Sequence, residues 1–316
     1  MDKFLLLDYP YYNLYYKFSK KDFLKEVKDY IPKIYEEIPK NISKYNHIEK
    51  YNKKYFIIKE TYNDTKNINN ITDYFSEKVR INCRFGNYIS PQDYWNKNKR
   101  YIIEKTIKKY KILNVYNIRE IIYENTKLCN NFRITVALTI LNYFKPKKWL
   151  DISAGWGDRL ISALLYKIKL YVSCDPNLDL HPCYNEMINT FATPSKKNNF
   201  IIYKNGFLEA PLPNEKFDIV FSSPPFFTLE KYSSYNENSL TKISTEKEWC
   251  DKFFIPSLMK AYKYLKKDGH IILYMGGSPY VMEKMHFLDK IMEYKGIIYF
   301  YEKKPRGMFV WKKTNI

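Results

Sequence analysis

Residues 149–160 read Trp-Leu-Asp-Ile-Ser-Ala-Gly-Trp-Gly-Asp-Arg-Leu, and the reading of this stretch decides the fold. A short apolar strand ends at Asp151, a Gly155-x-Gly157 loop follows, and Leu160, Ile161, Leu164 and Leu165 then recur at helical spacing. Strand, glycine loop and helix in that order let a ligand approach the backbone closely at a topological switch point. Leu160 stands where a dinucleotide fingerprint would carry its third glycine, and no Gly-x-x-x-x-Gly-Lys pattern occurs. The spacing therefore argues against a pyrophosphate cradle. An acid at the strand end beside a two-glycine turn suits a ligand with an ammonium group. The plain alternative is a glycine turn that only closes a tight βα connection.

Working outward, strand and helix signals alternate. Strands fit 148–152, 170–174, 199–203, 217–222 and 270–275; helices fit 158–167, 182–192, 247–266 and 280–293. Such alternation predicts a parallel sheet covered on both faces. Two last strands, 296–303 and 308–313, flank Lys304-Pro305-Arg306-Gly307, which predicts a closing antiparallel hairpin.

Two further segments bear on chemistry. The strand at 170–174 is followed by Asp175-Pro176, near the roughly 20-residue offset at which a carboxylate meets ribose hydroxyls; its plain reading is a turn-initiating Asp-Pro. The strand at 217–222 stops at Ser223-Pro224-Pro225-Phe226. Two prolines remove two backbone donors and end the ladder. What remains is a rigid chain end with free carbonyls beside an aromatic ring. That suits gripping a flat base and accepting hydrogen bonds from its amino group.

In this combination the chain resembles a class I S-adenosylmethionine-dependent methyltransferase, and more narrowly those that methylate exocyclic amino groups of nucleic-acid bases. Asp151, Gly155 and Gly157 match the pattern Asp-x-x-x-Gly-x-Gly, Asp175 matches the ribose acid, and Ser223 to Phe226 match the catalytic tetrapeptide Asp/Asn/Ser-Pro-Pro-aromatic. The resemblance covers about 130 to 316. It implies a Rossmann-like seven-stranded sheet ending in the antiparallel hairpin, in a domain over 126–316. Residues 1–125 would form a mainly helical extension that grips substrate. It also implies S-adenosylmethionine as cofactor, held by Asp151, Ser153, Ala154, Gly155, Gly157, Asp175 and Pro176, with Asn205, Gly206 and Phe207 at the adenine. The segment Asn131-Phe132-Arg133 would close over the methionine end, with plain core and salt-bridge roles the alternatives for Phe132 and Arg133. Two departures stand out. The tetrapeptide begins with Ser, which is common in the cytosine-N4 branch, and the third strand lacks an acid. Adenine N6 is favoured and cytosine N4 remains open, in RNA or DNA. Other readings are a catalytically silent nucleic-acid-binding subunit and a methyltransferase for protein or small-molecule amines.

The chemistry needs no strong base. Hydrogen bonds from the amino group to the Ser223 side chain and the Pro224 carbonyl would favour a pyramidal nitrogen. Phe226 would stack on the base for roughly 1–3 kcal/mol, and positioning would supply much of the rate. No Gly-x-Ser-x-Gly elbow surrounds Ser223. The four histidines lack metal-ligand spacing, so no metal is expected; His181 is the one placed nearest the ligand.

The net charge of +19 favours a polyanionic partner, although a chain rich in Lys, Asn, Ile and Tyr owes part of it to composition. Five cysteines without a Cys-x-x-Cys pair fit a reducing compartment. No signal-like start and no run of roughly 18 apolar residues predict a soluble intracellular protein, cytoplasmic or nuclear, with no membrane partner. Upstream, Ser19 and Asp22 cap an expected helix carrying Phe23, Val27, Ile31 and Ile34. Residues 40–75 read as loop with short strands, Arg80 and Arg84 as surface charges or phosphate contacts, and Asn117/Glu120 as a capping pair. Residues 227–246 read as a lid or binding loop.

Overall fold

Trp149 and Leu150 are neighbours in one strand, yet they sit in different hydrophobic clusters. Side chains alternate across a strand, and here both faces are buried. Trp149, Tyr171, Phe221 and Ile272 belong to one face; Leu150, Val172, Val220 and Ile271 belong to the other. The computed structural model describes residues 2–29, 34–37, 55–58, 66–225, 227, 230–232, 243, 245–275, 278–300 and 306–314.

The strands are β1 (Ile34–Glu37), β2 (Tyr55–Ile58), β3 (Arg84–Phe85), β4 (Lys148–Leu150), β5 (Leu170–Cys174), β6 (Phe200–Tyr203), β7 (Phe217–Ser222), β8 (Glu230–Lys231), β9 (Leu265–Tyr274), β10 (Glu293–Phe300) and β11 (Arg306–Lys312). The main helices are α1 (Lys20–Asp29), α2 (Lys66–Arg80), α3 (Pro91–Tyr110), α4 (Val115–Asn125), α5 (Ile134–Phe144), α6 (Asp158–Tyr166), α7 (His181–Phe191), α8 (Ile255–Tyr264) and α9 (Pro279–Met285). The main sheet runs β1-β2-β10-β11-β9-β7-β4-β5-β6. Its stretch from β9 to β6 is parallel, and β11 lies antiparallel between β9 and β10. The fold is thus the Rossmann-like α/β sheet of seven strands with a terminal antiparallel hairpin, and a helical region precedes it.

Two strands exceed that expectation. β2 adds parallel to β10 and β1 adds antiparallel to β2, so nine strands are joined among the described residues. β2 falls in the stretch expected as loop with short strands, whereas β1 falls where the first helix was expected; each is four residues long, too short for a period to show. Ile34, expected on a helix, lies in β1, and α1 ends at Asp29. The stretch expected as loop ends in helix α2, whose Ile68, Ile71 and Phe75 are buried. This face was diluted by asparagines. Helix α4 begins at Val115, where Asn114 Oδ1 accepts from Asn117 N at 2.8 Å; the Asn117/Glu120 pair is therefore inside the helix. Arg306 and Gly307 pair with Phe300 and Tyr299 in the ladder, so they belong to β11 and not to the turn. The five cysteines are free thiols.

Helices α2, α5, α6 and α7 cover one face of the sheet, and α8 and α9 cover the other. The first of these cores runs across residue 125: Phe23, Ile68, Ile71 and Phe75 pack in the same cluster as Phe132, Val136 and Trp149. Helices α3 and α4 form a third cluster with Tyr9 around Trp95 and Ile118. Arg80 is buried rather than exposed: it pairs with Asp73 and donates to the Cys129 carbonyl at 2.9 Å. Arg84 is exposed and meets Asp93 at 3.2 Å. No helix among the described residues is long and apolar enough to cross a membrane.

Candidate cofactor and catalytic site

β4 lies between β5 and β7, so the chain departs to opposite sides of β4 and a crevice opens at the carboxyl ends of these strands. The loop after β4 turns twice into left-handed backbone, at Gly155 (φ 59°) and Gly157 (φ 100°), which glycine adopts without strain. A cavity of about 300 Å³ fills the crevice. Ser153, Gly155, Asp175, Gly206, Ser223 and Pro225 all contribute to its wall. The glycine loop and the proline segment touch directly: Ser153 Oγ donates to the Ser223 carbonyl at 2.9 Å.

The expected residues divide. Phe132, Ser153, Gly155, Asp175, Pro176, Gly206 and Phe207 line the cavity, as do Ser223, Pro224 and Pro225. Phe226 lies outside the described residues, as does most of 227–246. Asp151 is off the wall and fully buried. Its Oδ2 accepts from Arg159 Nε at 2.8 Å and from the Tyr171 hydroxyl at 2.8 Å, and its Oδ1 faces Ser153 N at 3.3 Å. A carboxylate already paired with a guanidinium has no room for a ligand ammonium. Gly157 is also off the wall, and a Cβ there would lie 2.5 Å from Met187 Sδ; this glycine permits close packing of α7. Ala154 is buried, with its N–H on the Cys174 carbonyl at 2.9 Å. Asn205 is exposed, and Arg133 occupies the N-cap position of α5. Neither lines the cavity.

The acids that do reach the wall are strongly desolvated. Asp175 Oδ1 accepts from Asn177 N at 2.9 Å, and Oδ2 from Gly155 N at 3.2 Å and Tyr184 OH at 3.0 Å. Burial nevertheless pushes its carboxyl up to about 6, against these hydrogen bonds. Asp158, the first residue of α6, is pushed up to about 7 by burial, which outweighs the hydrogen bond from Thr72. His181 places Nε2 2.8 Å from the Asp175 carbonyl, behind the wall. Two lining asparagines hold buried polar atoms without a partner among the described residues: Asn177 Nδ2 and Asn131 Oδ1. Their assignments follow from their neighbours. Asn177 Oδ1 accepts from Asp179 N at 3.1 Å, and Asn131 Nδ2 donates to Asp73 Oδ1 at 3.0 Å.

Sequence reasoning missed the wall residues contributed from afar. Short strands β3 and β8 pair Phe85 with Glu230, which pins the chain after the proline segment to the N-terminal region. Phe85, Glu230 and Tyr232 all line the cavity. Glu230 Oε1 accepts from Asn130 N at 3.1 Å, and Lys127 Nζ sits 3.8 Å from the Phe85 ring centroid. Two-residue strands leave no periodicity to read. Lys260 was equally silent: its Nζ donates to the carbonyls of Phe207, Leu208 and Ala210 at 2.8, 2.9 and 2.9 Å, which fixes the loop after β6. Among the described residues no group of three or more His, Cys, Asp or Glu is placed to hold a metal.

No protein-family profile matches the chain, and no curated protein does. Solved structures do. TrmN from Thermus thermophilus is similar at 14% identity and a TM-score of 0.43, over 58% of this chain and 49% of that one. The present chain thus aligns with about half the length of TrmN. A methyltransferase from Geobacter sulfurreducens is similar at 12% identity and a TM-score of 0.41, over 68% of this chain and 89% of that one. A methyltransferase from Pyrococcus furiosus gives 15% identity and a TM-score of 0.38, over 69% and 100%. Strand order, and not these alignments, carries the fold assignment.

Proposed function

We propose that the chain is an S-adenosylmethionine-dependent methyltransferase acting on the exocyclic amino group of a nucleic-acid base, with adenine N6 favoured over cytosine N4. One observation carries the reading: the glycine loop after β4 and the Ser-Pro-Pro segment after β7 wall a single cavity and are joined by the Ser153–Ser223 hydrogen bond. Packing alone does not call for the proline segment, since Pro224 and Pro225 end a strand that could have continued.

The residues present fit the cofactor. Asp175 offers a carboxyl at the end of β5, where a ribose diol would lie. Gly155 leaves its side of the wall open, a Cβ there meeting only Arg159 Nη2 at 3.6 Å. Asn177 and Asn131 hold a donor and an acceptor with no partner among the described residues, which buried groups seldom tolerate. Phe207 and Leu180 supply apolar wall. When bound, S-adenosylmethionine supplies an electrophilic sulfonium methyl.

The protein's own share is positioning. Pro224 fixes the direction of its carbonyl, and Ser223 offers a hydroxyl; two acceptors on a base amino group would draw its lone pair out of conjugation. Phe226 would stack on the base, and Phe85, Tyr232 and Tyr274 offer further aromatic faces on the wall. The 53 Lys and Arg against 34 Asp and Glu suit a phosphate backbone. Residues 1–125 contribute substrate grip alongside their part in the core.

The test is incubation with methyl-labelled S-adenosylmethionine and separate RNA and DNA pools, followed by nucleoside analysis. Label in N6-methyladenosine or N4-methylcytidine is expected. Label found only in protein or in small amines would overturn the nucleic-acid reading, and no transfer at all the enzyme reading. Phe226→Ala should abolish transfer while S-adenosylhomocysteine still binds.

A further inference from the structure

Asp151, the acid offered by sequence to a ligand ammonium, is sealed by Arg159 and Tyr171. The next acid along lies at the wall itself. Asp158 is 2% exposed and lines the cavity. Its Oδ1 accepts from Thr72 Oγ1 at 2.6 Å, and its Oδ2 faces Phe132 N at 3.3 Å. No ion pair with Asp158 is present among the described residues: the neighbouring Arg159 is turned to Asp151. Beside Phe132 in the chain, Asn131 also lines the cavity, with its Nδ2 committed to Asp73 and its Oδ1 without a donor among the described residues. Thr72 and Asp73 are consecutive residues of α2, so one turn of one helix holds both side chains. The same helix reaches the glycine loop again, where Ser76 Oγ donates to the Trp156 carbonyl at 2.9 Å.

Arg159 and Arg80 act on the Asp158 carboxylate only from a distance. A buried carboxylate without a direct ion pair and a carbonyl oxygen without a donor among the described residues, on one wall, call for a ligand that brings both charge and N–H groups. We propose that Asp158 and Asn131 form the seat for the ammonium at the amino-acid end of the methyl donor, and that Thr72 and Asp73 are its positioning residues. The proposal rests on the reading of this cavity as an S-adenosylmethionine site. Desolvation that keeps the Asp158 carboxyl near neutral pH agrees with it, because the compensating cation arrives with the ligand. In consequence helix α2, far upstream of the glycine loop in sequence, completes the donor site, and the N-terminal region is more than a substrate arm.

The experiment is calorimetric titration of the full chain with three ligands: S-adenosylhomocysteine, its analogue lacking the α-amino group, and 5′-methylthioadenosine, which lacks the amino-acid end. For the unaltered protein the desamino analogue should bind about tenfold or more weakly than S-adenosylhomocysteine. Asp158→Asn should weaken S-adenosylhomocysteine by a similar factor and abolish the difference between these two ligands. Its affinity for 5′-methylthioadenosine should stay within about twofold, which also reports a folded variant. Thr72→Val should show a smaller loss in the same direction. Equal binding of the two amino-acid ligands by the unaltered protein overturns the proposal, whatever the variants do. Retention of the full preference by Asp158→Asn also overturns it. Both results leave the cofactor reading standing, whereas no binding of any of the three ligands would remove that reading and this proposal together.

Discussion

Replacement of Arg159 by Met tests how Asp151 is used. Asp151 has no exposed surface and Arg159 is 4% exposed, with Nε 2.8 Å from the carboxylate. Arg159→Met leaves a buried carboxylate with only the Tyr171 hydroxyl and the Ser153 amide, and removal of one partner from a buried ion pair costs about 3–5 kcal/mol. For a chain of 316 residues the melting temperature should fall by roughly 5–8 °C. The double variant Asp151→Leu, Arg159→Met removes both charges. Arg159 Nη2 also donates to the Ser153 carbonyl, so the double variant removes the partners of that carbonyl, of the Ser153 amide and of the Tyr171 hydroxyl, and its melting point should lie between those of the single variant and the unaltered protein. Differential scanning calorimetry reads both. Asp151→Asn should lower stability yet keep the preference for the amino-bearing ligand over its desamino analogue. The reasoning is falsified if Arg159→Met melts within about 2 °C of the unaltered protein, or if Asp151→Asn loses that preference without losing stability.

Three other outcomes are expected. Gly157→Ala, at φ 100° with Met187 Sδ 2.5 Å from the new carbon, should destabilise by about 2 kcal/mol or more in urea denaturation. Gly155→Ala, at φ 59° with only Arg159 Nη2 in ordinary contact at 3.6 Å, should cost about 1 kcal/mol and act mainly on cofactor affinity. Lys260→Met would leave three carbonyls of the loop after β6 without their shared donor, and should weaken S-adenosylhomocysteine about tenfold in the same titrations. Stability should also depend on pH. Asp158 and Asp175 titrate near 7 and 6 in the folded chain, against about 3.9 unfolded. The folded state therefore holds more protons, and the contribution of these groups is complete below about pH 4 and is lost as pH rises through 6 and 7. Urea denaturation from pH 4 to 8 should show this fall, and Asp158→Asn should flatten it; an unchanged slope would contradict the burial.

Asp175 and the Ser223–Pro225 segment were legible because each ends a strand in an apolar run, and strand ends gather at one edge of a parallel sheet. Asp151 shows where such reading stops. Its position at the strand end was right, but nothing in the chain order says that Arg159, the second residue of α6, folds back onto it. Gly157 shows the same for glycine: the motif predicts a turn, while the distance to Met187 decides that the turn serves packing.

By itself the sequence determined the alternating strands and helices, the parallel sheet with its closing hairpin, and the two strand-end segments that meet at the crevice. Those features depend on local periodicity and backbone chemistry, which neighbouring residues carry. Tertiary structure alone decided which acid stands at the wall and which is sealed behind it, that Thr72 and Asp73 of α2 reach Asp158 and Asn131, and that β3 and β8 bring Phe85 and Glu230 to the cavity. Charge pairing and desolvation depend on distances between residues far apart in the chain, and no spacing along the sequence encodes those distances.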